Sequence, residues 1–138
     1  MNTFTLDANI MNFEGIPAGA READIICFCP KQDDLLPCRA AWRNVLIDAL
    51  RRDVPITAII ENFDGMMTPN EKDALLEMLS YVSFIFVDSD SAEILQKEPK
   101  ESSEEVLRYI HKRFGVCSVI LTDEGLAFDG EKITEWEK

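Results

Sequence analysis

Asp24-Ile25-Ile26-Cys27-Phe28-Cys29 is an apolar run opened by a carboxylate and closed by Pro30. Such a run has no polar side to turn to water, so it suits a strand buried on both faces, the situation of a parallel sheet. Three more runs of this kind follow: Ile56-Thr57-Ala58-Ile59-Ile60, Ser83-Phe84-Ile85-Phe86-Val87 and Cys117-Ser118-Val119-Ile120-Leu121-Thr122.

Between the runs the apolar period changes to that of a helix. Trp42, Val45, Leu46, Ala49 and Leu50 mark one stripe, which predicts a helix from roughly 36 to 53 that Pro55 stops. Thr68-Pro69-Asn70-Glu71 is a helix start with Thr68 as cap, Pro69 in the first turn and Glu71 closing a capping box. Leu75, Met78, Leu79 and Val82 are its inward face. Ser89 to Leu95 predicts a short helix and Gln96 to Glu101 a surface loop. Ser102-Ser103-Glu104-Glu105 opens a helix that buries Val106, Leu107, Ile110 and Phe114 and ends at Gly115. Thr3 to Asp7 alternates weakly as a short strand, and residues 9 to 22, with Gly15, Pro17 and Gly19, read as loop. Gly125 to Phe128, Asp129-Gly130 and Lys132 to Thr134 predict a hairpin on an Asp-Gly turn. Strands alternating with helices give an α/β fold. The expectation is one domain over 1–138: a three-layer α/β/α sandwich with a mostly parallel sheet and a C-terminal β-hairpin.

The net charge is −12, from 14 basic and 26 acidic residues. That field repels phosphate backbones and anionic membranes, so nucleic-acid and membrane binding are not expected. The Arg51-Arg52 pair reads as a solvated helix end. No apolar stretch is long enough to cross a membrane. The N-terminus has no basic start followed by an apolar core, so no secretory signal is read and the expected location is cytoplasmic. Cys27, Cys29, Cys38 and Cys117 should then be reduced. Their spacing matches no zinc site, and Cys27 and Cys29 read as small buried residues on one strand face.

In a parallel sheet ligands sit beyond the carboxyl ends of the strands. Those ends carry Pro30 to Asp34, Glu61 to Asp64, Asp88-Ser89-Asp90 and Thr122-Asp123-Glu124. Carboxylates gathered there suit Mg²⁺, though a chain this acidic has an acidic rim in any case. Neither Gly-x-Gly-x-x-Gly nor Gly-Lys-Ser/Thr occurs. His111, the one histidine, reads as an exposed helix residue with no orienting partner for catalysis. A signalling receiver domain matches weakly, because no Asp-Asp pair follows the first strand.

Several segments together resemble the central part of ribokinase-like (PfkB) carbohydrate kinases, ketohexokinase-like in flavour. Ala23-Asp24-Ile25-Ile26 resembles the strand leading to the substrate loop, and Asp53-Val54-Pro55-Ile56 with Glu61 the next strand. Leu79 to Glu93 resembles the segment that bears the family's Asn-x-x-Glu motif. Glu104 to Phe114, then Val119 to Thr122 and Gly125-Leu126-Ala127, resemble the region bordering the nucleotide. The resemblance implies that Asp90 takes the Asn place and Glu93 the Glu place, in preference to a register on Asn70. It implies ATP or ADP near Asp90, Glu93, Thr122 and Gly125, and Mg²⁺ near Glu61, Asp90 and Glu93. The departures are equally specific. Asp stands for Asn, and Thr122-Asp123-Glu124-Gly125 is two residues short of Thr-x-Gly-x-x-Gly. The family's Gly-Ala-Gly-Asp segment, with its anion hole and general base, is absent from these 138 residues, as is the sugar-binding region with its lid.

The resemblance therefore implies a truncated or degenerate sugar kinase domain with no catalytic residue of its own. Its expected partners are a complementary kinase segment or further copies of itself. The competing expectation is a non-catalytic α/β interaction or regulatory domain, with Met66-Met67 and Trp136 as anchors.

Overall fold

The computed structural model describes residues 2–7, 16–96, 98 and 102–135. The described strands form one sheet in chain order: β1 (Thr3–Asp7), β2 (Ile25–Cys29), β3 (Ile56–Ile60), β4 (Phe84–Val87), β5 (Ser118–Leu121), β6 (Leu126–Phe128) and β7 (Ile133–Glu135). β1 to β5 pair in parallel, and β6 and β7 return antiparallel. The helices are α1 (Ala18–Arg21), α2 (Arg39–Arg51), α3 (Pro69–Leu79), α4 (Ser89–Ile94) and α5 (Ser103–Phe114). The α/β class, the mostly parallel sheet and the terminal hairpin are thus as the sequence predicts.

Right-handed crossovers between strands laid down in one direction put every crossover helix on the same face. Burial along the strands follows. Ile26 and Phe28, Ile56, Ala58 and Ile60, Ile85 and Val87, and Val119 and Leu121 are buried, and their strand neighbours are half-exposed. The buried set joins Trp42, Leu46, Leu75, Met78, Leu107 and Ile110 of the helices in one hydrophobic cluster. The half-exposed positions are filled by Ile, Phe, Cys and Thr, which read like core in the sequence.

Local chemistry sets the helix limits. Thr68 Oγ1 accepts from Glu71 N at 3.1 Å while Thr68 N donates to Glu71 Oε1 at 3.0 Å, the predicted capping box of α3. Ser102 caps α5, and Gly115 ends it in the left-handed region at φ 63°. α2 starts later than predicted, because Gln32–Asp34 forms a 3-10 turn ahead of it. Trp42 donates its indole N–H to the Leu35 carbonyl at 2.8 Å and meets Phe28 with ring centroids 5.8 Å apart. Leu50, expected in the stripe, is 43% exposed. α1 falls in the segment read as loop. It is tied to α2 by Arg52, whose guanidinium donates to the Arg21 and Ala20 carbonyls at 2.7 Å. The helix-end arginine therefore does more than face solvent. The hairpin turn is not a two-residue loop: Asp129 accepts from Glu131 N and Lys132 N, each at 2.9 Å, across a longer connection.

Candidate functional site at the carboxyl ends of the strands

The loops leaving β2, β3, β4 and β5 gather at one edge of the sheet, and their side chains stitch them together. Asp88 follows β4 and caps α4, one carboxylate oxygen accepting from Ser91 N at 2.8 Å. The other accepts from Asn62 N, in the loop after β3, at 2.9 Å. Asn62 itself sits at φ 61°, a strained setting for a side-chain-bearing residue that this bond helps to hold. The Ser91 hydroxyl, fully buried, accepts from Phe63 N at 2.9 Å. Asp123, after β5, accepts from Ser89 N at 3.1 Å and from the Ser89 hydroxyl at 3.0 Å. Gln32, after β2, exchanges bonds with Asp64: Asp64 N donates to it at 2.8 Å, and its amide donates to the Asp64 carboxylate at 3.2 Å.

Burial works against the Asp88 charge. The hydrogen bonds from Ser91 and Asn62 outweigh it and hold the carboxyl below its ordinary range. The N–H groups of Ser89 and Ser91 at the start of α4 are already taken by Asp123 and Asp88. A phosphate does not find them vacant.

The residues singled out from sequence lie on this edge but not as one cluster. Asp90 and Glu93, three apart on α4, share a helix face and are both exposed. Thr122 is half-buried directly after β5. Gly125 is buried in a tight turn, at φ 65°, with its N–H on the Leu121 carbonyl at 3.0 Å. Glu61 instead lines an open cleft of about 740 Å³ with Lys31, Asp33, Asp34, Asn62 and Asp64. Asp90, Glu93, Thr122 and Gly125 do not line it. Among the described residues no three or more His, Cys, Asp or Glu side chains are placed to hold a metal, so Glu61, Asp90 and Glu93 do not form a ready ligand set. Their oxygen chemistry suits Mg²⁺ only where a ligand brings further oxygens.

Sequence reasoning placed Asp88, Asn62 and Asp123 at the strand ends without assigning them a part. Asp88-Ser89-Asp90-Ser91 has the spacing of a helix cap, and that signal was there to be read. His111 is half-buried rather than exposed, edge-on to Phe128 with centroids 5.0 Å apart, and it packs α5 on the hairpin. Cys27 and Cys29 share a face, their sulfurs 3.8 Å apart, and are half-buried. Met67 packs on the core while Met66 is 87% exposed. Trp136 lies outside the described residues.

No family model matches the chain, and no curated protein matches it. Solved structures do. A PfkB protein from a Polaromonas species matches with a TM-score of 0.66 at 15% identity, over 86% of this chain and 42% of that one. A 2-dehydro-3-deoxygluconokinase from Thermotoga maritima matches with a TM-score of 0.61 at 12% identity, over 80% and 39%. A pyridoxal kinase from Leishmania donovani, in complex with ADP, matches with a TM-score of 0.54 at 11% identity, over 86% and 50%. The chain has the ribokinase-like fold of these kinases and spans half of their length or less.

Proposed function

We propose that this chain is an incomplete PfkB-type kinase domain that binds Mg²⁺–nucleotide weakly at the β4 and β5 ends and does not transfer phosphate alone. The observation that carries the reading is the network of Asp88, Asn62, Ser91 and Asp123, which fixes the loops after β3, β4 and β5 against one another on a ribokinase-like sheet. Asp90 and Glu93 are exposed carboxylates on α4 within that frame, and Thr122 and Gly125 follow β5. Carboxylates repel a bare polyphosphate. Mg²⁺ is commonly held by one or two carboxylates together with phosphate oxygens, and it would neutralise the phosphate charge. Glu61, at the cleft, is the third residue assigned to that ion.

Phosphoryl transfer depends on positioning and charge stabilisation. Without Gly-Ala-Gly-Asp these 138 residues offer neither the family's anion hole nor its general base. We place the protein in the cytoplasm, where nucleotide is available; no described helix is long and apolar enough to cross a membrane.

Thermal denaturation with ADP or ATP tests the reading, with and without Mg²⁺ and on Asp90→Ala. Nucleotide at about 100 times its dissociation constant adds roughly 2.7 kcal/mol of stability. The expected result is a shift that needs Mg²⁺ and shrinks in the variant. No shift at millimolar Mg²⁺–nucleotide overturns it.

A further inference from the structure

The nucleotide reading makes no use of the sheet face opposite the helices. Two cross-strand rows define that face. One is Thr5, Cys27, Thr57, Phe84 and Ser118, and the other is Ile59, Phe86, Ile120 and Ala127. The second row continues through Cys29 to Asp7 at the β1 edge; apart from Asp7 the rows hold no charged residue, on a chain whose net charge is −12. The side chains are half-exposed where their alternates on the helical side are buried. Parallel sheets are found almost only with both faces covered.

A second copy fits in both charge and area. On most of its surface a chain of this charge meets its copy with carboxylate against carboxylate; on this face the one carboxylate in the rows is Asp7, at the β1 edge. The face is on the order of 350 Å² in projection, and side-chain relief adds to it. Two faces together reach the order of 1,000 Å² at which specific interfaces begin. We propose that two copies of the chain pair back to back through this face, Phe84, Phe86, Ile59 and Ile120 interdigitating, to give a helix–sheet–sheet–helix stack. The pairing is symmetric, as most homodimers are, and it does not depend on the nucleotide reading.

Sedimentation velocity of the chain from low to high micromolar concentration tests this, alongside Phe86→Glu and Ile120→Lys, with circular dichroism to confirm folding. Alkylation of Cys27 on the face is followed by mass spectrometry against exposed Cys117, which precedes β5. The expected result is a dimer that both variants convert to a folded monomer, with Cys27 alkylated severalfold more slowly in the dimer and Cys117 unchanged. A chain monomeric throughout overturns the proposal, as does a dimer that survives both substitutions. If neither variant folds, the wild type decides alone: a dimer that protects Cys27 upholds the pairing, and Cys27 as reactive as Cys117 at high concentration overturns it.

Discussion

Two carboxylates, Glu77 on α3 and Asp88 after β4, are both held ionised, by opposite means. Glu77 accepts from Arg39 Nε at 2.8 Å, from Arg43 Nε at 2.6 Å and from the Tyr81 hydroxyl at 3.0 Å. Arg43 does most to lower its pKa, and with Arg39 and Tyr81 it outweighs the cost of burial, bringing the group to about 2. Asp88 is held by neutral N–H donors from Asn62 and Ser91. The difference separates structure from function. Between α2 and α3 the charge is consumed by two guanidinium groups, and nothing remains to attract a ligand. At the strand ends the carboxylate is fixed in place, yet its charge still acts on whatever approaches. The strand-end carboxylate thus keeps its charge uncompensated by any cationic side chain among the described residues, while the helix clamp is closed.

The largest expected effect comes from opening that clamp. Glu77→Ala leaves the Arg43 guanidinium, 39% exposed as a side chain, without its carboxylate, and Arg39, 25% exposed, with Asp73 alone. The expected cost is about 2–3 kcal/mol, below the full penalty of a deeply buried pair because water reaches part of the site. Urea denaturation measures it; a cost under about 0.5 kcal/mol would reduce the clamp to an ordinary surface pair. Asp88→Ala should cost less, about 1–2 kcal/mol, from a lost helix cap and an unpaired Asn62 N–H. An equal or larger loss at Asp88 would show that the strand-end network carries as much of the fold as the clamp does.

Acid sharpens the same contrast. The folded Glu77 carboxyl, at about 2 against an ordinary 4.5, binds its proton later than the unfolded chain does. Its stabilisation is therefore complete above pH 4.5 and is lost as pH falls towards 2. Asp88, also lowered, contributes in the same direction. Melting temperature followed through that window should fall more steeply in the wild type than in Glu77→Gln. Parallel curves would mean that Glu77 is not the main acid-sensitive group.

How much of this could be read from the residues depended on distance along the chain. The α3 capping box, the Gly115 stop and the β3 strand are local and came through intact. The carboxylate clamp did not: Arg39 and Glu77 are 38 positions apart, and nothing in either helix's periodicity pairs them. Asp88 with Asn62 is the same case, one loop answering another through a backbone N–H that carries no sequence signature. The burial of each strand face is non-local in the same way: an apolar run states that a strand avoids water but not which of its faces the helices pack on, and the strand order decides that. Asp90 and Glu93 were singled out by the resemblance alone, whereas the residues that hold their helix in place were not singled out.

Asp90 gives the smallest effect and the finest test of the division between consumed and available charge. It stands in the first turn of α4, where a negative charge gains from the helix dipole. It also stands near Asp88 and Glu93 in sequence, and their like charge opposes that gain. The two influences are of similar size, so Asp90→Ala without ligand should change stability by no more than about 0.5 kcal/mol. Raising the salt should alter even that little, because exposed charges are screened over about 10 Å. Urea denaturation at low and high ionic strength makes the measurement. A loss above about 1 kcal/mol would mean that Asp90, like Asp88, is committed to holding the loop, and that the strand-end edge has less charge to offer a cation than its exposure suggests.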